Sequence, residues 1–468
     1  MDYMTESLSN ISGISLHWSS DCNMACKYCY IEKDKKCMAA YNRNIRKSLE
    51  DGSFVENMKR VFAPIKDQIE SLSLWGAEPT INGVYFQKTI YELLDYFPQA
   101  HDFMFSTNAL IGGERIYNDF FIPLYNYSKE FGRKIEFNLQ LSLDGPPEFN
   151  DDSRHKGAAA STIATLETFL TRMPEDMGDL SLKINTKPTL DISYMRLMNE
   201  RGLESFQWYY SFFNDLQEKA DQWCNNNPNV SVRVAGMPTL VDPGYYTVED
   251  GKTFAQWLEN LCLVDKSKLP CYKNSPLFFQ LFGTLDIVMD YYLSGKNILS
   301  IQENAFSCSA SKNNITVDHE GKLYTCNRLC RNSALDDEKI NKHSMRSNTN
   351  INCSDKQWLK RTWGSNAFHF DLVSRRAFLD QLALPMALSG QIDKKYAYSE
   401  EDRTLMFWLI CALYCHIGAE EDYTQNPSII PATYLRLLGN GAIDALFKYY
   451  RIEAARGGMP TWNTAMLT

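Results

Sequence analysis

The sequence predicts an α/β protein built on a parallel sheet, either open or curled into a full or partial barrel. Short apolar or alternating segments recur through the first half of the chain, and stretches of helical composition separate them. Strands that alternate with helices pair in parallel, because each crossover helix returns the chain to the same end of the sheet. Functional residues of such sheets gather just after the carboxyl ends of the strands.

Five segments predict the strands of this sheet. Each is short, carries apolar or β-branched residues, and ends near turn-forming or polar residues. They are "ISLHWS" (14–19), "SLSLWG" (71–76), "DFMFST" (102–107), "KIEFNLQLSL" (134–143) and "LSLKINT" (180–186). Intervening stretches such as "FVENMKRVFAPIKDQIE" and "STIATLETFLTRM" predict the crossover helices.

Composition and charge exclude several classes of protein. The chain has 468 residues and a formal net charge of −9, so we expect neither a nucleic-acid partner nor a membrane partner. The sequence contains no apolar run of membrane-spanning length, and its first residues, "MDYMTESLSN", do not resemble a signal peptide. We therefore expect a cytoplasmic protein, in which the 13 cysteines serve metal binding or catalysis more than disulfides.

Three cysteines are crowded into "SSDCNMACKYCYIEKD", directly after the first predicted strand. Cys22, Cys26 and Cys29 are spaced Cys-x3-Cys-x2-Cys. A structural zinc ion requires four ligands, and no histidine follows at a usual spacing. Three thiolates suit three corners of a 4Fe–4S cluster and leave one iron free to bind a small molecule. A structural zinc site and chance clustering are the alternatives.

These cysteines, with Tyr28 before the third one, resemble the motif of the radical S-adenosylmethionine (radical SAM) enzymes. In that family the iron without a protein ligand binds the methionyl end of S-adenosylmethionine (AdoMet). The family cleaves AdoMet reductively to a 5′-deoxyadenosyl radical, which abstracts hydrogen from a substrate. The resemblance implies the same cluster, cofactor and chemistry here, on a partial (β/α)6 TIM-type barrel.

A second stretch, "LWGAEPT", resembles the Gly-Gly-Glu-Pro motif of this family. It places Gly76, Ala77, Glu78 and Pro79 at the end of the second strand, with Ala77 where the family has its second glycine. The resemblance implies that this backbone and Glu78 receive the ammonium group of AdoMet. A carboxylate suits an ammonium, and glycine lets the backbone approach a ligand closely.

Two further stretches follow the third and fourth strands. "FSTNAL" places Thr107 and Asn108 as in the Thr-Asn segment of the family. "LSLDGPPEFNDDSR" resembles the branch that includes anaerobic sulfatase-maturing and peptide-modifying enzymes, and it implies that Ser142 and Arg154 bind the ribose and carboxylate of AdoMet. Asp144 of this stretch is also assigned to the cofactor site. A solvated loop charge is the alternative for Arg154.

A second cysteine region begins near residue 306. "CSASKNNITVDHEGKLYTC" contains a predicted β-hairpin with "HEGK" at its turn, and it resembles the opening of the SPASM auxiliary-cluster domain or its shorter relative, twitch. The dense cysteine run of full SPASM domains is missing, so the resemblance implies one auxiliary 4Fe–4S cluster. The candidate ligands are Cys308, Cys326, Cys330, Cys411 and Cys415; Cys330 is a rival ligand, and the helical spacing of the last pair also fits core packing.

These observations divide the chain into three predicted regions. Residues 1–235 form the radical SAM core, 236–305 connect near the substrate, and 306–468 form the SPASM/twitch-like region with C-terminal helices. Aromatic residues between 200 and 305, as in "SFQWYYSFF", are predicted to help close the mouth of the barrel.

The resemblance implies a radical SAM oxidoreductase or maturase that acts on a peptide or protein side chain. Asn327 stands where sulfatase-maturing enzymes have an aspartate base, which argues against formylglycine formation. No residue is assigned as a catalytic acid or base. The implied partners are a reduced flavodoxin- or ferredoxin-type electron donor and a peptide, with a separate chain to bind it. The alternatives are a twitch-type dehydrogenase of a small polar molecule and a non-catalytic iron–sulfur protein of electron transfer or regulation.

Overall fold

The structure, a computed structural model, describes residues 11–29, 35–224, 227–235, 239–240, 248–272 and 313–324, with the single residues 445 and 448. Its strands are β1 Gly13–Ser19, β2 Ser71–Gly76, β3 Asp102–Thr107, β4 Ile135–Ser142, β5 Leu180–Lys187, β6 Thr189–Leu190, β7 Val230–Arg233, β8 Thr239–Leu240, β9 Asn314–Val317 and β10 Leu323–Tyr324. The α-helices are α1 Lys35–Asp51, α2 Ser53–Phe62, α3 Phe86–Tyr96, α4 Gly113–Ile116, α5 Ile122–Phe131, α6 Pro147–Ser153, α7 Ala158–Thr171, α8 Ile192–Arg201, α9 Leu203–Cys224 and α10 Val248–Leu261. Shorter 3-10 helices span Ala63–Gln68, Pro79–Tyr85, Lys266–Lys268 and Pro270–Tyr272, and a π-helix spans Tyr117–Phe121.

The main sheet confirms the predicted α/β class. Its strand order is β10-β9-β1-β2-β3-β4-β5-β7, and every pair is parallel except β10 with β9. From β1 to β5 the order in space follows the order in the chain, as in a TIM-type barrel, and the sheet is open in the part of the chain that the structure describes. The five predicted strands all form. No helix among the described residues is long and apolar enough to cross a membrane.

The two faces of the central strands differ in chemistry. On one face lie buried apolar residues such as Phe103, Phe105 and Phe137, and the Phe86 ring of α3 packs 5.2 Å from Phe103. Alternate positions along β4 and β5 are polar and partly exposed, which is the period of two expected of a strand with one buried face. We call the side that carries these polar residues the polar face.

The predicted hairpin forms and joins the core sheet. β9 pairs in parallel with β1, from Gly13 beside Asn314 to Leu16 beside Val317. The turn is closed by Asp318, whose side chain accepts hydrogen bonds from the backbone N–H groups of residues 320 and 322, both at 2.9 Å. The hairpin of the second cysteine region therefore pairs with β1, and β1 leads directly into the three-cysteine loop. The three-region division of the chain stays a prediction.

Gly76 ends β2 in a conformation that only glycine adopts without strain. Its φ is +136°, and a Cβ atom there would lie 1.7 Å from the Ser19 carbonyl oxygen. Replacement by alanine must therefore separate β1 from β2 just where the cysteine loop begins.

We predict that Gly76→Ala lowers the free energy of unfolding by more than about 3 kcal/mol, at the upper end of single substitutions. Gly132→Ala is the matched control, because Gly132 also has a positive φ, +58°, but nothing lies within 4 Å of its Cβ position. The control should cost about 1–2 kcal/mol, the cost of the left-handed backbone alone. Anaerobic urea unfolding measures both, and equal losses would contradict the close approach of Ser19.

Candidate functional site

The three-cysteine loop lies at the carboxyl edge of the sheet, directly after β1. Cys22, Cys26 and Cys29 are free and partly exposed. The Met24 N–H group lies 3.4 Å from the Cys22 sulfur, and the Cys29 N–H group donates to the Cys26 carbonyl at 3.1 Å. The loop is therefore partly shaped by its own backbone.

Two backbone hydrogen bonds join this loop to the end of β2. The Ala77 N–H group donates to the Ser19 carbonyl at 2.8 Å, and the Glu78 N–H group donates to the Asp21 carbonyl at 3.0 Å. The "GAEP" stretch is thus held against the cysteine loop by its backbone. The Gly76 conformation makes this approach possible.

The buried Glu78 carboxylate binds the loops after β2 and β3 together. One oxygen accepts hydrogen bonds from the Thr80 N–H group at 3.2 Å, the Thr80 hydroxyl at 2.7 Å and the Thr107 hydroxyl at 2.8 Å. The other accepts from the Asn108 N–H group at 2.8 Å. Burial raises the pKa of Glu78, while these donors oppose the shift. Glu78 therefore fixes the geometry of this edge, whatever further partner it has.

Asn108 connects the loop after β3 to the cysteines. Its side-chain amide donates to the Asn23 side chain at 2.7 Å and points the same nitrogen at the Cys22 sulfur, 3.7 Å away. Its side-chain oxygen accepts from the Leu110 N–H group at 2.9 Å, which fixes the orientation of the amide. A donor held in this way favours the thiolate form of a cysteine ligand.

Asp144, two residues beyond β4, is the centre of a buried polar network. Its carboxylate accepts two hydrogen bonds from Arg154, each 2.7 Å long, and one from the Thr189 N–H group at 2.8 Å. The Tyr28 hydroxyl, from the cysteine loop, donates to the same carboxylate. The Arg154 side chain is only 8% exposed, so it is not the solvated loop charge offered as the alternative.

Two other contacts attach this network to its surroundings. The Lys27 N–H group donates to the Ser153 carbonyl at 2.8 Å, which joins the cysteine loop to α6. The buried Tyr209 hydroxyl donates to the Asp144 carbonyl at 2.5 Å, and a Cβ atom on Gly145 would meet the Tyr209 ring at the same distance. Tyr209 is therefore a buried packing partner of the Asp144 loop. Its neighbour Trp208 is 40% exposed.

Chemically, the donor set of the loop fits an iron–sulfur cluster, whose irons prefer thiolates. Burial raises the pKa of the Cys22 thiol to about 12; the Met24 N–H group opposes the shift, and Glu78 and the other two cysteines add to it. The thiols are thus close enough to repel one another as thiolates, and a cation would relieve that repulsion. The described residues include no group of three Cys, His, Asp or Glu side chains already gathered around one point.

Each sequence-predicted site residue within the described part lies at the carboxyl edge. These are Cys22, Cys26, Tyr28, Cys29, Gly76, Ala77, Glu78, Pro79, Asn108, Ser142, Asp144 and Arg154. Their contacts with AdoMet or iron stay predictions. The predicted auxiliary ligands Cys308, Cys326, Cys330, Cys411 and Cys415 lie outside the described residues.

Sequence reasoning missed Thr189 and Lys187 at this edge, and it assigned Tyr209 to the aromatic stretch at the barrel mouth without its contact to Asp144. Thr189 and Tyr209 carry no sequence signal for their contacts with Asp144, because both act across long separations. Lys187 did offer a signal: it is a lysine at the end of a strand whose alternate residues are buried.

Comparisons with known proteins identified similar solved structures. No family model matches the chain, and no curated protein matches it. Among solved structures, it is similar to "Native anSMEcpe with bound AdoMet", at 16% identity and a TM-score of 0.47, covering 96% of this chain and 100% of that one. It is also similar to "Native anSMEcpe with bound AdoMet and Cp18Cys peptide", at 16% identity and a TM-score of 0.45, covering 96% of this chain and 99% of that one.

We predict that Glu78→Gln lowers the free energy of unfolding by about 1–3 kcal/mol, because an amide nitrogen would face a buried donor. Glu114→Gln is the control, since the Glu114 side chain is 68% exposed, and it should change stability by less than about 0.5 kcal/mol. Urea unfolding measures the difference. Equal, negligible effects would show that the four hydrogen bonds do not stabilise the fold.

We also predict a strong coupling between Asp144 and Arg154. Removing one partner of this buried pair should cost about 3–5 kcal/mol, since it leaves an uncompensated charge. The double alanine variant should cost less than the sum of the single ones. The exposed pair Lys27–Asp152, with side chains 65% and 61% exposed, is the control and should contribute less than about 1 kcal/mol. A double-mutant cycle by urea unfolding decides, and additive losses at Asp144 and Arg154 would contradict the network.

Proposed function

We propose that this chain is a radical SAM enzyme that holds a 4Fe–4S cluster through Cys22, Cys26 and Cys29 and binds AdoMet beside it. One observation carries the proposal: hydrogen bonds tie the cysteine loop to the loops after β2, β3 and β4. Those three loops contain the stretches that resemble the AdoMet-binding motifs. A thiol-rich loop that served structure alone would not need all three.

When bound, the cluster supplies the electron that cleaves AdoMet to methionine and a 5′-deoxyadenosyl radical, which abstracts hydrogen from the substrate. The chain's own residues prepare the site for this chemistry. Asn108 directs its amide at the Cys22 sulfur, and Asp144 holds Tyr28 and Arg154 beside the loop. The backbone conformation of Gly76 lets the next two residues come close to the cysteines.

These positions support the AdoMet contacts that we propose. We assign the ammonium of AdoMet to the backbone around Gly76 and Ala77 and to Glu78, whose second oxygen has one hydrogen-bond donor against three on the first. Ser142, the last residue of β4, and Asn108 face the same edge and supply polar groups for the rest of the cofactor. Pro79 begins the 3-10 helix that follows and fixes the direction in which the chain leaves the site.

For the substrate, we propose a peptide or protein side chain, which makes the chain a maturase. The "LSLDGPPEFNDDSR" stretch supports this class, because it resembles the branch of the family that modifies peptides and proteins. We propose one auxiliary 4Fe–4S cluster in the region after residue 306, a flavodoxin- or ferredoxin-type reductant, and action in the cytoplasm. A separate chain would present the peptide.

The test is an anaerobic reconstitution followed by addition of dithionite and AdoMet. We expect about eight irons per chain and formation of 5′-deoxyadenosine. The Cys22, Cys26 and Cys29 triple alanine variant should lose about four irons and all cleavage. Cys224→Ala is the control, because Cys224 is a free cysteine at the end of α9, and it should keep both.

Two outcomes would change the proposal. About four irons with cleavage intact would remove the auxiliary cluster and leave the radical SAM site standing. Iron that is reduced by dithionite without any cleavage of AdoMet would contradict the enzyme and favour an electron-transfer protein.

A further inference from the structure

On the polar face of β4 and β5, the side chains away from the carboxyl edge form hydrogen bonds with one another. Lys183 of β5 pairs with Glu136 of β4 at 2.6 Å, and Asn138 donates to Asp102 of β3, also at 2.6 Å. These charged and polar groups therefore already have partners inside the sheet.

Lys187 is the last residue of β5, four residues beyond Lys183 and on the same face of the strand. The alternate residue Thr186 is fully buried on the apolar side, so Lys187 lies on the polar face, in register with Ser142 of β4. Among the described residues, its ammonium has neither a hydrogen bond nor a salt bridge. Burial lowers the pKa of Lys187, and the nearby positive charge of Arg154 lowers it further. The Lys187 side chain is half-buried, so an anion bound at this edge can replace water as the partner of its ammonium.

Contacts already described place this lysine at the cysteine site. Thr189, two residues later, donates its N–H group to Asp144, so the chain at Lys187 is fastened to the Asp144–Arg154 pair. Ser142, which pairs with Lys187 across the sheet, lies two residues before Asp144. Both strand ends therefore meet at the carboxyl edge that carries the cysteine loop.

Charge balance separates the two cations. Both Nε and Nη2 of Arg154 donate to the Asp144 carboxylate, so this guanidinium already has an anionic partner. Within the described part of the chain, Lys187 is then a positive charge without an anionic partner, on the strand position paired with Ser142. A single ammonium suits a monoanion such as a carboxylate, whereas a phosphate dianion needs more positive charge.

We propose that Lys187 is the carboxylate receptor of this site. The carboxylate comes either from the methionyl end of AdoMet or from the substrate, and the same ammonium suits both. This inference rests on the proposed function, since it concerns the ligands of the same site. Recognition of the carboxylate is then assigned to Lys187 of β5 and not to Arg154, because Arg154 is paired with Asp144.

The first arm of the test measures equilibrium binding of AdoMet and of decarboxylated AdoMet to the reconstituted enzyme under anaerobic conditions. If AdoMet supplies the carboxylate, Lys187→Met weakens AdoMet by about tenfold or more and leaves decarboxylated AdoMet unchanged. Lys187→Arg retains a cation and should recover most of the loss. Lys183→Met, on the same face and strand, is the matched control and should bind both ligands as the wild type does.

The second arm selects displayed random peptides on the immobilised, AdoMet-loaded enzyme. If the substrate supplies the carboxylate, wild-type pools are enriched several-fold in Asp or Glu at one position, and Lys187→Glu abolishes or reverses that preference. AdoMet affinity then stays the same in Lys187→Met. A positive result in either arm supports Lys187 as the carboxylate receptor and identifies which molecule supplies the carboxylate.

The proposal is overturned if Lys187→Met leaves AdoMet binding unchanged and the selected peptides show no acidic preference that depends on Lys187. Assays of 5′-deoxyadenosine on the same preparations separate this failure from a failure of the proposed function. Wild-type enzyme that cleaves AdoMet while both arms are negative contradicts Lys187 alone. Wild-type enzyme that does not bind AdoMet contradicts the proposed function and this inference with it.

Discussion

The buried carboxylate of Asp144 is the interaction on which the geometry of the site depends. It receives Arg154 from the end of α6, Tyr28 from the cysteine loop and the backbone of Thr189 after β5. Its backbone carbonyl receives Tyr209 from α9. Because a buried charge is tolerated only when it is paired and hydrogen-bonded, these four segments must assemble together. The position of the cysteine loop is therefore set by the core of the fold and by its own sequence alike.

Glu78 plays the matching part on the other side of the cysteines. The Glu78 carboxylate and the Asp144 carboxylate each accept four hydrogen bonds from the protein, so this edge is organised before any ligand arrives. Preorganised polar groups lose little entropy on binding and are worth more in a water-poor site. Because Arg154 is paired with Asp144, we propose Lys187, among the residues that the structure describes at this edge, as the cation that receives a ligand.

Much of the fold could be predicted from the sequence, because it is set by local patterns. Alternation located the five strands, and the motif stretches were expected where those strands end, which is where the structure has them. What the sequence could not provide was the pairing of polar groups across long separations. Nothing in the residues of "LSLDGPPEFNDDSR" indicates that Arg154 folds back onto Asp144. Nor does any local pattern place the hairpin of residues 314–324 beside β1.

That hairpin has a consequence for how the protein is made. Ser15 of β1 donates to the side chain of Asn314, 299 positions later, and the outer edge of β1 has β9 as its neighbour in the described sheet. At synthesis rates of about 5–20 residues per second, a ribosome needs roughly 15–60 s to make that partner. During this interval the nascent chain exposes an unpaired strand edge, which is prone to wrong pairing with other chains. The thiols of Cys22, Cys26 and Cys29 emerge early, so they leave the ribosome before the sheet that supports their loop is complete.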